Sequence, residues 1–240
     1  MECIKSVLLS GANRWAPISV LEAHVDCGER RRWSDGERAA FRVQLRSAVP
    51  VLERLLAQSS RLARQDEPRG DVVVRKLSEG LERDLAPPQA LLYLSQILQA
   101  ACGVPASFGS SVETDEPHVF LLAFHTEVAE LGRAALDTAI QIARSALRGE
   151  TPDLATLTRQ LVDLADDVRL GPSSRAIVRA AAARGIPFRR LNAGSLVQFG
   201  EGRRQRRTWT AETDATSAIA ESIAQDKELT KRMLLSLIHI

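Results

Sequence analysis

Two short segments in the last third of the chain carry the residue types that binding chemistry needs. Leu170 to Arg175, LGPSSR, places a glycine, a proline and two serines at the mouth of a helix expected over Arg175 to Arg184. Backbone N–H groups and the helix dipole at such a terminus attract a carboxylate or a phosphate, and the hydroxyls of Ser173 and Ser174 add donors. The plainer reading is that Ser173 or Ser174 caps the helix, contributing about 1 kcal/mol. Further on, Arg203, Arg204, Arg206 and Arg207 form the densest basic cluster, with Trp209 just beyond. Such a cluster can be a solvated turn, a contact for nucleotide phosphate or aspartyl carboxylates, or a nucleic-acid contact. The formal charge is only +2, from 32 basic and 30 acidic side chains, so the field that nucleic acid requires is confined to one loop. That balance argues against a nucleic-acid partner.

Other groups offer less. His24, His118 and His125 are spread over expected strands without ligand spacing, and no metal site is expected. Cys3, Cys27 and Cys102 are too few and too scattered for a disulfide framework, and none sits in a CxxC, which fits a reducing cytoplasm. The opening MECIKSVLLSGANRW lacks the long apolar core of a signal peptide, and no run approaches the roughly 20 apolar residues of a membrane span. No membrane partner is expected. With 45% hydrophobic residues in 240, the chain can bury a real core in one or two domains.

The elements that must position these groups are legible in part. Ile4 to Leu9 and Ile18 to Val25 read as the strands of a hairpin around a loop from Gly11 to Pro17. Glu37 to Ala63 has helical apolar spacing interrupted at Pro50, giving one or two helices. Gln65 to Gly70 reads as a polar loop and Val72 to Val74 as a short apolar run; Pro87 and Pro88 then start a helix to Cys102. His118 to His125, HVFLLAFH, is continuously apolar and expected inside a sheet rather than at its edge. Glu127 to Leu147 and Asp153 to Asp167 read as helices. A boundary is expected near Asp166 to Leu170. Beyond the Arg175 helix, Ser195 to Phe199 is a strand that reverses at Gly200 and Gly202 into a second extended run through Trp209. Thr213 or Asp214 is expected to cap the next helix, with Ile219 and Ile223 on one face, and Asp226 the turn after it.

This order and wording resemble cyanophycin synthetase, the bacterial family that builds a polymer with an aspartate backbone and arginine side groups. The most specific pieces are GPSS at Gly171 to Ser174, RGIPFRRL at Arg184 to Leu191, SLVQFGEG at Ser195 to Gly202, QRR at Gln205 to Arg207 and AESIAQDKELTKR at Ala220 to Arg232. SGANRW at Ser10 to Trp15 and CGVPASFG at Cys102 to Gly109 are weaker echoes of the family's RGPN-W and G-P-FG segments. The resemblance implies an α+β chain: an N-terminal mixed α/β module over residues 1–168, then the first helix, strand, hairpin and helix of an ATP-grasp domain over 169–234. It implies ATP-driven amide ligation, with ATP and Mg as cofactors and with aspartate, arginine and a cyanophycin polymer or primer as partners. The complete enzyme is expected to be a homo-oligomer.

Residue by residue, the resemblance assigns Ser173 and Ser174 to the pocket for the growing chain's terminal carboxylate. It assigns Glu221 to the incoming ammonium group and Lys227 to the nucleotide; Arg206 and Arg207, from the basic cluster itself, are the candidates for nucleotide phosphate. Without it, Glu221 and Lys227 would read as charges on a solvated helix face. Many relatives carry an H-x-x-E-H metal pattern before the G-P-FG segment; the aligned positions here are Gln89, Leu92 and Tyr93, so the trimming activity tied to that pattern is expected to be missing. The last six residues, LSLIHI, are what CTG TCT CTT ATA CAC ATC encodes, the end of a transposase adapter, so residues 235–240 are read as a sequencing artefact and His239 as uninformative. On this reading the chain is a fragment that stops before the nucleotide lid, the magnesium ligands and a second ligase domain, and is inactive alone. Two alternatives are a non-catalytic module that anchors polymer and a ligase that joins β-aspartyl-arginine dipeptides.

Overall fold

Alternation of inward and outward side chains builds the first sheet. In the computed structural model, which describes residues 1–29, 33–59, 70–83, 85–210 and 212–238, β1 (Glu2–Leu9) pairs antiparallel with β2 (Val20–Asp26), as the hairpin expectation required. β2 pairs with β4 (Val119–His125), and β4 with β3 (Gly109–Glu113), giving the order β1-β2-β4-β3. The HVFLLAFH segment thus lies inside the sheet, although His118 stands just before the strand with a φ of +66°. Leu21 faces Phe124 and Ala23 faces Leu122, and these four side chains are fully buried. Period-two alternation puts them on one face, the face that helices cover.

α3 (Pro87–Ala101) and α4 (Ala129–Leu147) pack on that face, and α1 (Asp35–Ser59), α2 (Gly70–Glu82) and α5 (Leu154–Val168) pack on them. α1 is one continuous helix through Pro50, which is exposed along with Arg46 one turn earlier. The carbonyl that loses its partner there is on the wet side, which makes the break tolerable. α1 starts in a capping box: Glu37 N–H donates to Ser34 Oγ at 3.1 Å, and Ser34 N–H donates to Glu37 Oε2 at 2.7 Å. The apolar run Val72 to Val74 belongs to α2, whose Val73, Val74, Leu77 and Leu81 are buried on one side. A Cβ on Gly70 would come within 2.7 Å of both Ala100 and Leu56, so α2 meets α1 and α3 through a residue with no side chain. The remainder of the expected polar loop, 65–69, and the tail of the first helix expectation, 60–63, lie outside the described residues.

The chain divides into two units, Met1–Arg169 and Leu170–Ile240. The second contains α6 (Pro172–Ala183), an antiparallel sheet in the order β5-β6-β7-β8, and two helices, α7 (Ala218–Gln225) and α8 (Lys227–Ile238). Its strands are β5 (Phe188–Arg190), β6 (Leu196–Phe199), β7 (Arg206–Trp209) and β8 (Glu212–Thr213), so the expected hairpin β6–β7 is flanked by a strand on each side. Both glycines of its turn have positive φ, +70° at Gly200 and +55° at Gly202. Among the described residues no helix is long and apolar enough to cross a membrane.

Two cap expectations are corrected. α6 begins at Pro172 with Gly171 as its N-cap, so neither Ser173 nor Ser174 caps it; the proline's fixed φ starts the helix ahead of them. α7 is capped by Ser217, not by Thr213 or Asp214. Thr213 is still paired to Thr208 in β8, and the Asp214 carboxylate takes the Arg207 N–H, so neither is available. Asp226 does cap α8, its Oδ1 accepting from Leu229 N–H at 2.9 Å.

Arg169, at the end of the first unit, gathers three segments. Its side chain is 5% exposed and meets the Glu127 carboxylate before α4 at 2.7 Å. It also donates to the carbonyls of Cys102 and Gly103 in the α3–β3 loop, the latter at 3.0 Å. Gly103 sits at φ +77°, and a Cβ there would meet Arg169 Nη1 at 3.3 Å. Removing the guanidinium takes a charged donor away from a half-buried carboxylate and from two carbonyls. Arg169→Met should therefore lower the urea unfolding free energy by about 2 to 3 kcal/mol. Adding Glu127→Met should recover part of that loss, since the carboxylate that paired with Arg169 goes with it.

Candidate functional site

At the start of α6 the first-turn N–H groups receive no side-chain cap, and the Arg175 guanidinium folds back onto the Leu170 carbonyl at 2.8 Å. Ser173 is exposed and Ser174 is buried, as expected for neighbours about 100° apart around a helix. The two hydroxyls therefore do not open on one surface. Arg206 and Arg207 are likewise consecutive on β7 and leave opposite faces of the sheet, both exposed, opposite Phe199 and Gln198. Trp209, beyond them, is 57% exposed.

Glu221 lies on α7 and turns towards β8. It accepts from Gln225 Nε2 at 2.8 Å; Glu212 has its carboxyl held above the ordinary range first by hydrogen bonding to Glu221, then by desolvation and the Glu221 charge. Lys227 opens α8 and lines a different place, an apolar-walled hollow of about 320 Å³ between α7 and α8 with Ala224, Thr230, Lys231, Leu234 and Leu235. Among the described residues no hydrogen bond or ion pair joins Ser173 or Ser174 with Glu221 or Lys227. The six predicted side chains thus occupy the α6 start, the two faces of β7, the β8–α7 contact and the α7–α8 hollow.

The first unit holds a tighter polar cluster that spacing alone did not single out. Asn13 Nδ2 donates to the carbonyls of Gly11 at 2.8 Å and Ile18 at 2.7 Å, while its Oδ1 accepts from Trp15 N–H at 2.9 Å. The loop Gly11 to Pro17 is thereby folded over β2. Glu22 on that strand, 8% exposed, accepts from Trp15 Nε1 at 2.6 Å and from Arg14 Nε at 3.0 Å. Burial pushes the Glu22 carboxyl up, but the bonds from Arg14 and Trp15 together with the Arg14 charge outweigh it and hold the group below its usual range. The usable signal was an acid on the buried part of a strand following an Arg-Trp loop.

The chain matches no protein-family profile. A cyanophycin synthetase of Trichormus variabilis is 38% identical over 141 residues, which make up 57% of this chain and 16% of that protein. The figures are the same for a cyanophycin synthetase of Nostoc sp., and 34% over 140 residues for one of Geminocystis herdmanii. Over the matched stretch, this chain is a homologue of the cyanophycin synthetases. It covers 16% of the length of each of these relatives.

Gln89, Leu92 and Tyr93, the positions aligned above with an H-x-x-E-H pattern, all line one cavity of about 450 Å³ beside α3. Among the described residues no group of three or more His, Cys, Asp or Glu side chains is placed to hold a metal ion. His118 Nε2 lies 3.3 Å from Glu29 Oε1, and His125 Nδ1 is within 2.8 Å of both the Pro105 carbonyl and Ser107 Oγ. The three cysteines are free; burial pushes the Cys27 and Cys102 thiols up to about 12, so both stay protonated and behave as small apolar groups.

Glu22→Gln should cost about 2 kcal/mol in urea unfolding at pH 7, the scale of hydrogen bonds to a charged group. Because the folded state depresses this carboxyl, its stabilisation is present above the ordinary glutamate range and fades as pH falls through the folded value, so the gap between wild type and variant should close in acid. Glu212→Gln should act with the opposite pH dependence. A raised carboxyl stabilises only while protonated, so the amide should slow hydrogen exchange in β8 and α7 at pH 7 and change little at pH 4.

Proposed function

We propose that this chain is part of an ATP-dependent amide ligase that makes cyanophycin from aspartate and arginine. The observation that carries the reading is the 38% identity over 141 residues to synthetases of that name. In this reading residues 1–168 form the N-terminal domain and 169–234 the opening of an ATP-grasp domain, working in the cytoplasm.

The roles follow from what each group can offer. The uncapped first turn of α6, with Ser173 at its outer side and Ser174 beneath, receives the terminal carboxylate of the polymer. Glu221 receives the amine of the incoming amino acid: with the Glu212 carboxyl near it, it offers acceptors to an ammonium group. Lys227, Arg206 and Arg207 serve the phosphates of ATP, which with Mg supplies the phosphoryl group that activates the carboxylate. The exposure of both arginines leaves their donors available to such a ligand.

The decisive experiment replaces the matched stretch of the Nostoc synthetase with the corresponding residues of this chain. The chimera, given ATP, Mg, aspartate, labelled arginine and a cyanophycin primer, should incorporate label into acid-insoluble polymer. A chimera that is soluble and melts cooperatively, yet incorporates no label, would overturn the reading.

A further inference from the structure

The cavity beside α3 has a composition that sets it apart from a packing defect. Val72, Val73 and Leu92 give it an apolar floor, and the segment from Ala106 to Ser111, which leads into β3, gives it a wall. The gap is held open: Gln96 reaches across from α3 to donate to the Phe108 carbonyl at 2.9 Å, and its amide lies where a Cβ on Gly109 would have to stand, 2.7 Å away. That bond fixes the distance between helix and strand while leaving the space next to it empty of side chains.

Around this space stand Lys76, Gln89, Tyr93, Ser110 and Ser111. Among the described residues, none of these five side chains makes a hydrogen bond or ion pair within the protein. Gln89 Oε1 is shielded from solvent and has no hydrogen-bond partner among the described residues. A shielded acceptor is ordinarily satisfied, so Gln89 Oε1, beside a hollow lined by the exposed Lys76 and the half-buried hydroxyls of Tyr93, Ser110 and Ser111, marks a place where a ligand completes the bonding. Among the described residues the lining holds one cationic side chain, Lys76, and no carboxylate. About 450 Å³ accommodates a small molecule rather than a protein side chain.

We infer that this cavity is a binding site for a small molecule that carries an oxyanion, carboxylate or phosphate, next to a hydrogen-bond donor. The ammonium of Lys76 takes the oxyanion, with the hydroxyls of Tyr93, Ser110 and Ser111 as further donors. The ligand's own O–H or N–H satisfies the Gln89 amide oxygen once that amide turns towards it. The site lies wholly in the first unit, uses no residue assigned to ligation above, and stands or falls apart from the proposed function.

The test is a two-dimensional amide NMR titration of the whole chain with L-malate and, separately, with glycerol phosphate, the two arms distinguishing a carboxylate from a phosphate ligand. Saturable shifts are expected at Ser110, Ser111 and Gln89 with at least one probe. Lys76→Met should weaken that binding about tenfold, the worth of one hydrogen bond to a charged group. Arg75→Met serves as the control, because Arg75 is next in sequence, pairs with Glu79 at 3.9 Å and is outside the cavity lining. Tyr93→Phe, which keeps the ring's packing, should weaken binding without lowering the melting temperature. The inference is overturned if neither probe shifts these amides saturably, or if Arg75→Met weakens binding as much as Lys76→Met, which would reduce the effect to general surface charge.

Discussion

The buried guanidinium of Arg169 is the contact on which the first unit's arrangement depends most. It neutralises the Glu127 carboxylate at the start of α4 and holds two carbonyls of the α3–β3 loop, so that the end of α5, the start of α4 and the approach to β3 are tied to one charge. The loop conformation it stabilises includes Gly103 at φ +77°, a backbone state that costs other residues more. From that loop the chain passes directly to Ala106 to Ser111, the wall of the α3 cavity. A displaced loop would therefore move β3 relative to α3, and the gap spanned by Gln96 would change with it.

How much of this was legible follows from which forces act locally. The β1–β2 hairpin, β4, α3, α4 and α5 were readable because their apolar periods are long and their ends are marked by turn residues or proline. α2 was reduced to its valines because its other buried positions, Leu77 and Leu81, are separated by charged residues such as Arg75, Lys76 and Glu79. β3 and β8 are short strands whose pairing is decided by neighbours distant in sequence or by a turn, so no local pattern announces them, whereas the strand expected between the α6 helix and the hairpin is β5. The capping box at Ser34 and Glu37 had its S-x-x-E signal in plain sight, four residues into a segment dominated by arginines.

The candidate site was less legible than the fold. Composition picked out Ser173, Ser174 and the arginines, but the face each presents depends on where the helix and strand begin. Pro172 started α6 early enough to turn Ser174 inward, and β7 set Arg206 against Arg207. Glu221 had no signal of its own, and Glu212, the group it acts on, belongs to the two-residue strand β8, which no local pattern marks. In the first unit, Glu22 escaped notice for a similar reason, since an acid in a strand is unremarkable until a loop lays an arginine and a tryptophan over it.

The two units differ in how much apolar surface they hide. Among the described residues beyond Arg169, only Ser174, Val178, Ala181 and Val197 are buried, while Ile219 and Leu234 remain 74% and 57% exposed. The heat capacity increment of unfolding scales with apolar area newly wetted. Calorimetry would accordingly find the second unit thermally soft, with a broad and shallow transition, beside a first unit whose melting is sharp and endothermic.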